Sequence, residues 1–261
     1  MTTAGPTRIE PEMVERVWGA LDLTPWYPRQ SAKTGEVWFD SGDILVKFIF
    51  TTGNLSVQVH PGDDYAASHH NGSAGKTEMW HILRADPGAR IAIGFQKPVT
   101  LEAARQGALD GSIVSMLAWH EAAPGDTFFT PAGTVHAIGA GLVLCEIQQK
   151  SDVTYRLYDW GRTGRPLHLD DGFAVAALGT HPGRSTPGDD GTLARCPYFT
   201  TEKQYVRGVA TWPRDALMIV LEGEGSVDGA ACAAGQVWRL PQGANIASSP
   251  GMTLLRTYVE A

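Results

Sequence analysis

Cysteine is scarce in this chain of 261 residues. Cys145, Cys196 and Cys232 are an odd number with no paired spacing. That excludes a disulfide framework and suits a reducing compartment, so the expectation is a cytoplasmic protein. The opening residues, Met1 to Pro6, lack a basic segment followed by an apolar one, which predicts no signal peptide. No apolar run reaches about 18 residues, which argues against a membrane-spanning helix. Positive charge is also short. Lysine and arginine total 21 against 28 acidic residues, for a net charge of −7. A general nucleic-acid binder is more often basic, so that partner is not expected. An anionic small substrate would need a local cationic pocket against this field.

What is plentiful is turn chemistry. Thirty glycines and sixteen prolines are the mark of many short strands joined by tight turns. Three runs read as successive strands: Val37 to Phe39, Ile44 to Thr51 and Leu55 to His60. A hairpin is expected around Asp86-Pro-Gly, pairing Met79 to Leu83 with Ala89 to Phe95. Residues 62 to 74 read as an exposed loop, and about 100 to 118 as a small helical insertion. Met13, Val14, Val17, Trp18 and Leu21 recur at helical spacing, which predicts an N-terminal helix over Glu10 to Leu23.

One pattern occurs twice. Gly125-x5-Pro131-x-Gly133-x-x-His136 returns as Gly235-x5-Pro241-x-Gly243-x-x-Ile246. Likewise Trp80 to Leu83 matches Met218 to Leu221, which puts Ala216 where Glu78 stands. The fold expected is therefore mainly β, with two barrels of the same type and a few short helices. The first occupies residues 1–178, a linker spans 179–198, and a reduced, metal-free second barrel fills 199–261.

The chemistry lies in the first half. Gln58 and His60 stand two apart in an apolar run, and on a strand residues i and i+2 share a face. Glu78 lies on a second strand-like run, and His136 follows a Pro-x-Gly turn. Two imidazoles, a carboxylate and an amide oxygen can converge inside one barrel. This set suits a divalent cation such as Zn²⁺ with positions left open for chemistry.

The Gly-x5-Pro-x-Gly-x-x-His pattern belongs to cupins. Together with Leu55 to Pro61, Gly75 to Trp80, Pro131 to Gly141 and Glu146 to Trp160, it closely resembles the type I mannose-6-phosphate isomerases of the shorter bacterial kind. The resemblance runs from about Val17 to Leu169 and fades after the linker. It implies a zinc enzyme, one ion per chain, that interconverts mannose 6-phosphate and fructose 6-phosphate through a cis-enediol. The family's ligands fall on Gln58, His60, Glu78 and His136. By the same resemblance Lys76, Glu146 and Arg156 are catalytic positions, with Arg156 supporting the enediolate. Ser56 and Arg162 match phosphate contacts, although a strand serine and a loop arginine are also ordinary. Lys76, Glu146 and a metal-bound water remain open as the proton-transferring base.

The implied partner is a sugar phosphate, handled by a monomer or weak homo-oligomer. A sugar-responsive cupin without catalysis would lack Lys76, Glu146 or Arg156. An iron dioxygenase would more often carry His-x-His where this chain has Gln58-Val-His60. An isomerase of unphosphorylated mannose is the remaining alternative.

Overall fold

A computed structural model describes residues 5–260. The chain is mainly β, arranged in three sheets with four short helices among the described residues. The six-stranded sheet has the order Glu12–Ala20, Thr34–Asp40, Ile44–Phe50, Leu142–Gln149, Glu78–Ala85, Thr127–Thr130. The five-stranded sheet has the order Tyr155–Tyr158, Val57–Val59, His136–Ile138, Arg90–Phe95, Leu117–Glu121. The seven-stranded sheet runs Thr7–Ile9, Val237–Leu240, Ala216–Val227, Asn245–Tyr258, Thr200–Thr211, Thr192–Arg195, and Ala230–Ala233 pairs with Ala216–Val227. Each order ends on an edge strand without a further partner, so the sheets are open where closed barrels were expected.

The alternation of buried side chains shows how the layers stack. Ile49, Trp80, Ile82 and Leu144 of the six-stranded sheet pack on Ile91, Ile93 and Ile138 of the five-stranded one. Residues of opposite parity on the six-stranded sheet, such as Val46, Phe48, Met79 and Cys145, bury against Leu193, Ile219, Val237 and Leu255 of the seven-stranded sheet. The six-stranded sheet is thus covered on both faces. This explains why Ile44–Phe50 is an almost unbroken apolar run. The outer face of the five-stranded sheet packs on the helices: Val57, Ala92 and Leu157 lie against Ala104, Ala108 and Phe173.

Several expectations are corrected. Glu12–Ala20 is a strand, not a helix. It pairs antiparallel with Thr34–Asp40, with register breaks at Val14/Glu15 and between Glu15 and Ala20. Val14, Arg16 and Trp18 turn inward and Met13, Glu15 and Val17 outward. A charged Arg16 thus sits on the inward side and apolar Met13 and Val17 on the outward one, so the apolar spacing mimics a helix face. Residues 62 to 74 are not all loop, because Asp63–His69 forms a helix with Asp63 and Asp64 in its first turn. Acidic residues there are favoured by the exposed amide groups. Glu78–Ala85 and Arg90–Phe95 do not pair as a hairpin. Glu78–Ala85 bonds to Leu142–Gln149 and Thr127–Thr130, while Arg90–Phe95 bonds to His136–Ile138 and Leu117–Glu121. The Asp86-Pro-Gly88 turn carries the chain from one sheet to the facing one. The helical insertion is present as Leu101–Asp110 and Ile113–Met116. Within the expected linker, Thr192–Arg195 joins the seven-stranded sheet, and Thr7–Ile9 crosses to the same sheet beside Val237–Leu240.

The internal repeat is real at the level of the backbone. Gly125, Gly133, Gly235 and Gly243 all have φ between +85° and +93°, the left-handed region that only glycine enters freely. Thr134 N–H donates to Pro131 O at 3.1 Å, and Ala244 N–H donates to Pro241 O at 3.3 Å. Glu78 pairs with Thr130, five residues past Gly125, and Ala216 pairs with Leu240, five past Gly235. Ala216 therefore occupies the register of Glu78, and Ile246 that of His136.

Candidate active site

The two facing sheets bring the expected ligands together. His136 is paired with Gln58 in the five-stranded sheet, and Glu78 stands opposite on the six-stranded one. His60, Glu78 and His136 offer ligand atoms that all lie within 4.8 Å of one another, and all three residues are buried. Glu78 Oε1 sits 3.6 Å from His60 Nε2 and 3.4 Å from His136 Nε2.

The histidines are prepared as neutral donors. His60 Nδ1 lies 3.0 Å from Val153 O, and His136 Nδ1 lies 2.9 Å from Thr134 O. A carbonyl only accepts, so each Nδ1 carries the proton and each Nε2 presents a lone pair. Burial, helped by Lys76 and His136, pushes the pKa of His60 well below the usual histidine range. Burial likewise pushes His136 down to about 4. Glu78 Oε1 is buried without a hydrogen-bond partner. An unpartnered carboxylate oxygen between two imidazole lone pairs is costly, and a divalent cation removes that cost. Backbone carbonyls behind the ligating imidazoles are the support such sites require. The residues present therefore fit a metal ion.

Gln58 borders the cluster. Its Nε2 is 3.2 Å from His136 Nε2, while its Oε1 accepts a hydrogen bond from Ser56 Oγ at 3.1 Å. Lys76 shares the ligand face, its ammonium bonded to Glu78 Oε2 and 3.1 Å from His60 Nε2. Burial opposes the charge on Lys76, but Glu78 and Glu146 outweigh it and hold its pKa above the usual lysine range. Burial and the Glu146 charge push Glu78 up to about 7, against the pull of Lys76. Glu146 is lowered: burial works against its charge, but Lys76 and Lys47 prevail. Its Oε2 accepts from Trp80 Nε1 at 2.9 Å.

These groups open into a cavity of about 490 Å³ whose wall includes Ser56, Gln58, Lys76, Glu146 and Arg156. Arg156 donates from one terminal nitrogen to Pro166 O at 3.0 Å, and its Nε has no partner. No carboxylate lies within ion-pairing distance of it among the described residues. Arg162 is held by Asp159, at 2.7 Å, and is not part of the cavity wall. Arg165 is in the wall, its Nε 3.0 Å from the same carboxylate.

Sequence reading missed Lys47. The residue is 2% exposed, and its ammonium is 3.3 Å from Glu146 Oε1 and 4.7 Å from the centre of the Trp38 ring. The signal was a single lysine in the otherwise apolar strand Ile44–Phe50. Arg16 and Glu36 were also missed. They form a 2.7 Å ion pair in the cavity wall, Arg16 on the strand misread as a helix and Glu36 on Thr34–Asp40 beside it. Tyr155, Tyr158 and Trp160 do not line the cavity; Tyr155 packs in the core beneath the helices. His70 lies outside the cluster and meets Tyr155 Oη at 2.7 Å. His81 points away from the ligands, toward Thr127.

A cupin-like β fold with a buried carboxylate between two neutral imidazoles defines the class: a protein whose His60–Glu78–His136 cluster could hold a metal ion beside a cavity lined by charged side chains of both signs. Comparison with known proteins narrows it. Mannose-6-phosphate isomerase ManA of Bacillus subtilis is 33% identical, over 85% of this chain and 87% of that protein. A mannose-6-phosphate isomerase of Streptococcus mutans is 36% identical, over 70% of this chain and 62% of that protein. The crystal structure of the Bacillus subtilis mannose 6-phosphate isomerase superposes with a TM-score of 0.86 at 25% identity, covering 98% of this chain and all of that one. No family model matches the chain. The chain belongs to the mannose-6-phosphate isomerase family.

Proposed function

We propose that this cavity interconverts mannose 6-phosphate and fructose 6-phosphate, with one Zn²⁺ held by Gln58, His60, Glu78 and His136. The observation that carries the reading is the unpartnered Glu78 Oε1 between two imidazole lone pairs. Gln58 would contribute its Oε1 after a turn of its amide, which here presents Nε2 to His136 and Oε1 to Ser56. A bound zinc ion would act as a Lewis acid on the sugar oxygens at C1 and C2.

The chain's own groups carry the rest. Isomerisation removes a proton from C2 and delivers one to C1, through a cis-enediol. Glu146, kept ionised by Lys47 and Lys76, is able to accept the C2 proton and return it to C1. Lys76, kept protonated by two carboxylates, is a donor to the oxygen on which charge develops. Arg156, free of a carboxylate partner, supports the same charge.

For the phosphate we assign the pair on Asp159, with Arg165 in the cavity wall, Arg162 outside it and Ser56 just before the strand Val57–Val59. Two guanidiniums share one carboxylate, so one positive charge is left uncompensated. Together with Arg156 this can meet a dianion in a protein of net charge −7. The repeat supports a second, cupin-like unit over residues 199–261, which we propose lacks a metal because Ala216 and Ile246 offer no ligand. No described helix is long and apolar enough to cross a membrane, and we assign the protein to the cytoplasm.

A coupled assay of zinc-loaded protein on mannose 6-phosphate and on free mannose tests the reading. Turnover of the phosphorylated sugar with kcat/KM at least about tenfold higher is expected, since one phosphate ion pair contributes that much. Equal kcat/KM on the two sugars would remove the phosphate assignment, and no turnover of either would remove the isomerase.

A further inference from the structure

The segment that carries Lys76 and Glu78 into the site has little regular structure before Glu78. It is nevertheless tied down by a carboxylate outside the site. Asp63 Oδ1 accepts from Gly75 N–H at 2.8 Å and from Gln149 Nε2 at 2.9 Å. Gln149 Oε1 in turn accepts from Thr77 N–H at 2.9 Å. The other oxygen, Asp63 Oδ2, accepts from Tyr198 Oη at 2.8 Å. Tyr198 lies between two strands of the seven-stranded sheet, Thr192–Arg195 and Thr200–Thr211, so this bond reaches across from the far layer.

Space is as tight as the hydrogen bonding. A Cβ on Gly75 would come within 2.7 Å of the Gly62 and Asp63 backbone. Lys76 N–H also donates to Pro61 O at 3.0 Å. The amides on both sides of Lys76 are thus held through Asp63, directly at Gly75 and through Gln149 at Thr77. None of these three side chains lines the cavity.

We propose that Asp63 is a positioning residue for the isomerisation, and that Tyr198 extends its hold to the C-terminal sheet. The proposal rests on the reading of the cavity as an isomerase site. Asp63 touches no substrate. It fixes the backbone from which Lys76 reaches Glu78, His60 and Glu146. A shift of that backbone moves the ammonium relative to the reacting carbons, and a displacement of about 1 Å can cost around a hundredfold in rate. Ground-state binding of the phosphate, which rests on Arg165 and Ser56 and on none of the residues Asp63 holds, is left alone.

The test is steady-state turnover of mannose 6-phosphate by zinc-loaded wild type, Asp63→Ala, Asp63→Asn and Tyr198→Phe, with zinc content measured on the same samples. Asp63→Ala is expected to lower kcat by about 10²-fold, with KM within about twofold and zinc retained. Asp63→Asn keeps an acceptor for Gly75 N–H and should recover part of that loss. Tyr198→Phe, which removes one hydroxyl, should lower kcat about fivefold. A wild-type kcat in Asp63→Ala overturns the proposal. So does a kcat loss in Asp63→Ala that merely tracks lost zinc or lost folded protein, with no recovery in Asp63→Asn. If Asp63→Ala does not fold, an unchanged kcat in Tyr198→Phe overturns the proposal. A wild type without turnover overturns the isomerase reading and this proposal with it, whereas an active wild type with unaffected variants overturns this proposal alone.

Discussion

Arg156 and Glu146 stand ten residues apart in sequence and share one cavity wall, yet their surroundings are opposite. Glu146 is enclosed by Lys47, Lys76 and Trp80, whereas Arg156 has no carboxylate beside it. A guanidinium kept free of a carboxylate partner is suited to charge that appears only during reaction. Arg156→Ala should therefore lower kcat by about 10²–10³-fold and change KM far less. Initial-rate kinetics on mannose 6-phosphate decide, and a raised KM with unchanged kcat would make Arg156 a phosphate anchor.

His81, on the opposite face of the same strand as Glu78, makes a separate prediction. Burial, with a smaller contribution from Lys203, pushes it down to about 3. An unfolded chain holds that proton up to about pH 6.5. Below that the unfolded state binds the extra proton, so stability is complete above about pH 6.5 and falls as pH drops toward 3. His81→Gln should flatten this acid limb by up to roughly 1.4 kcal/mol per pH unit. Denaturant midpoints between pH 4 and 7 measure it, and parallel limbs in the two proteins would contradict it.

At the scale of elements, the strand Glu12–Ala20 matters most, because it walls the cavity with Glu15, Arg16 and Trp18. Its close approach to the next strand depends on two glycines. A Cβ on Gly19 would meet Gly35 N at 2.5 Å, and one on Gly35 would meet Arg16 Cβ at 2.5 Å. Gly19→Val should cost about 1–3 kcal/mol of stability and loosen the Arg16–Glu36 pair. Thermal melting reads the first effect, and an unchanged melting temperature would show that the strand adapts without strain.

This strand also marks where sequence reading stopped. The buried cluster was legible because Gln58 and His60 stand two apart and His136 follows a Pro-x-Gly turn, so His60, Glu78 and His136 could be grouped without knowledge of distant pairing. Glu12–Ala20 did need it. Its register breaks are set by Thr34–Asp40, and its apolar residues fall by coincidence at helical intervals. The crossing at Asp86-Pro-Gly88 was equally hidden, because a tight turn reads the same whether its arms share a sheet or face one another. Lys47 was missed because its partners, Glu146 and Trp38, come from two other strands.

At the scale of the whole molecule, the layers run from helices through the five-stranded and six-stranded sheets to the seven-stranded sheet. The site lies between the first two sheets, and the last sheet braces the middle one from behind. The repeat explains this division of labour: the turn geometry is present twice, but ligands are present once. The central claim, one catalytic metal held between two facing sheets, is tested most directly by zinc content and turnover measured on the same protein samples. The samples are wild type, His60→Ala, and wild type stripped with a chelator and then reloaded with zinc. We expect one zinc per chain and turnover of mannose 6-phosphate in wild type, neither in His60→Ala or the stripped protein, and recovery of both on reloading. Full turnover by stripped protein, or equal zinc in wild type and His60→Ala, would contradict it.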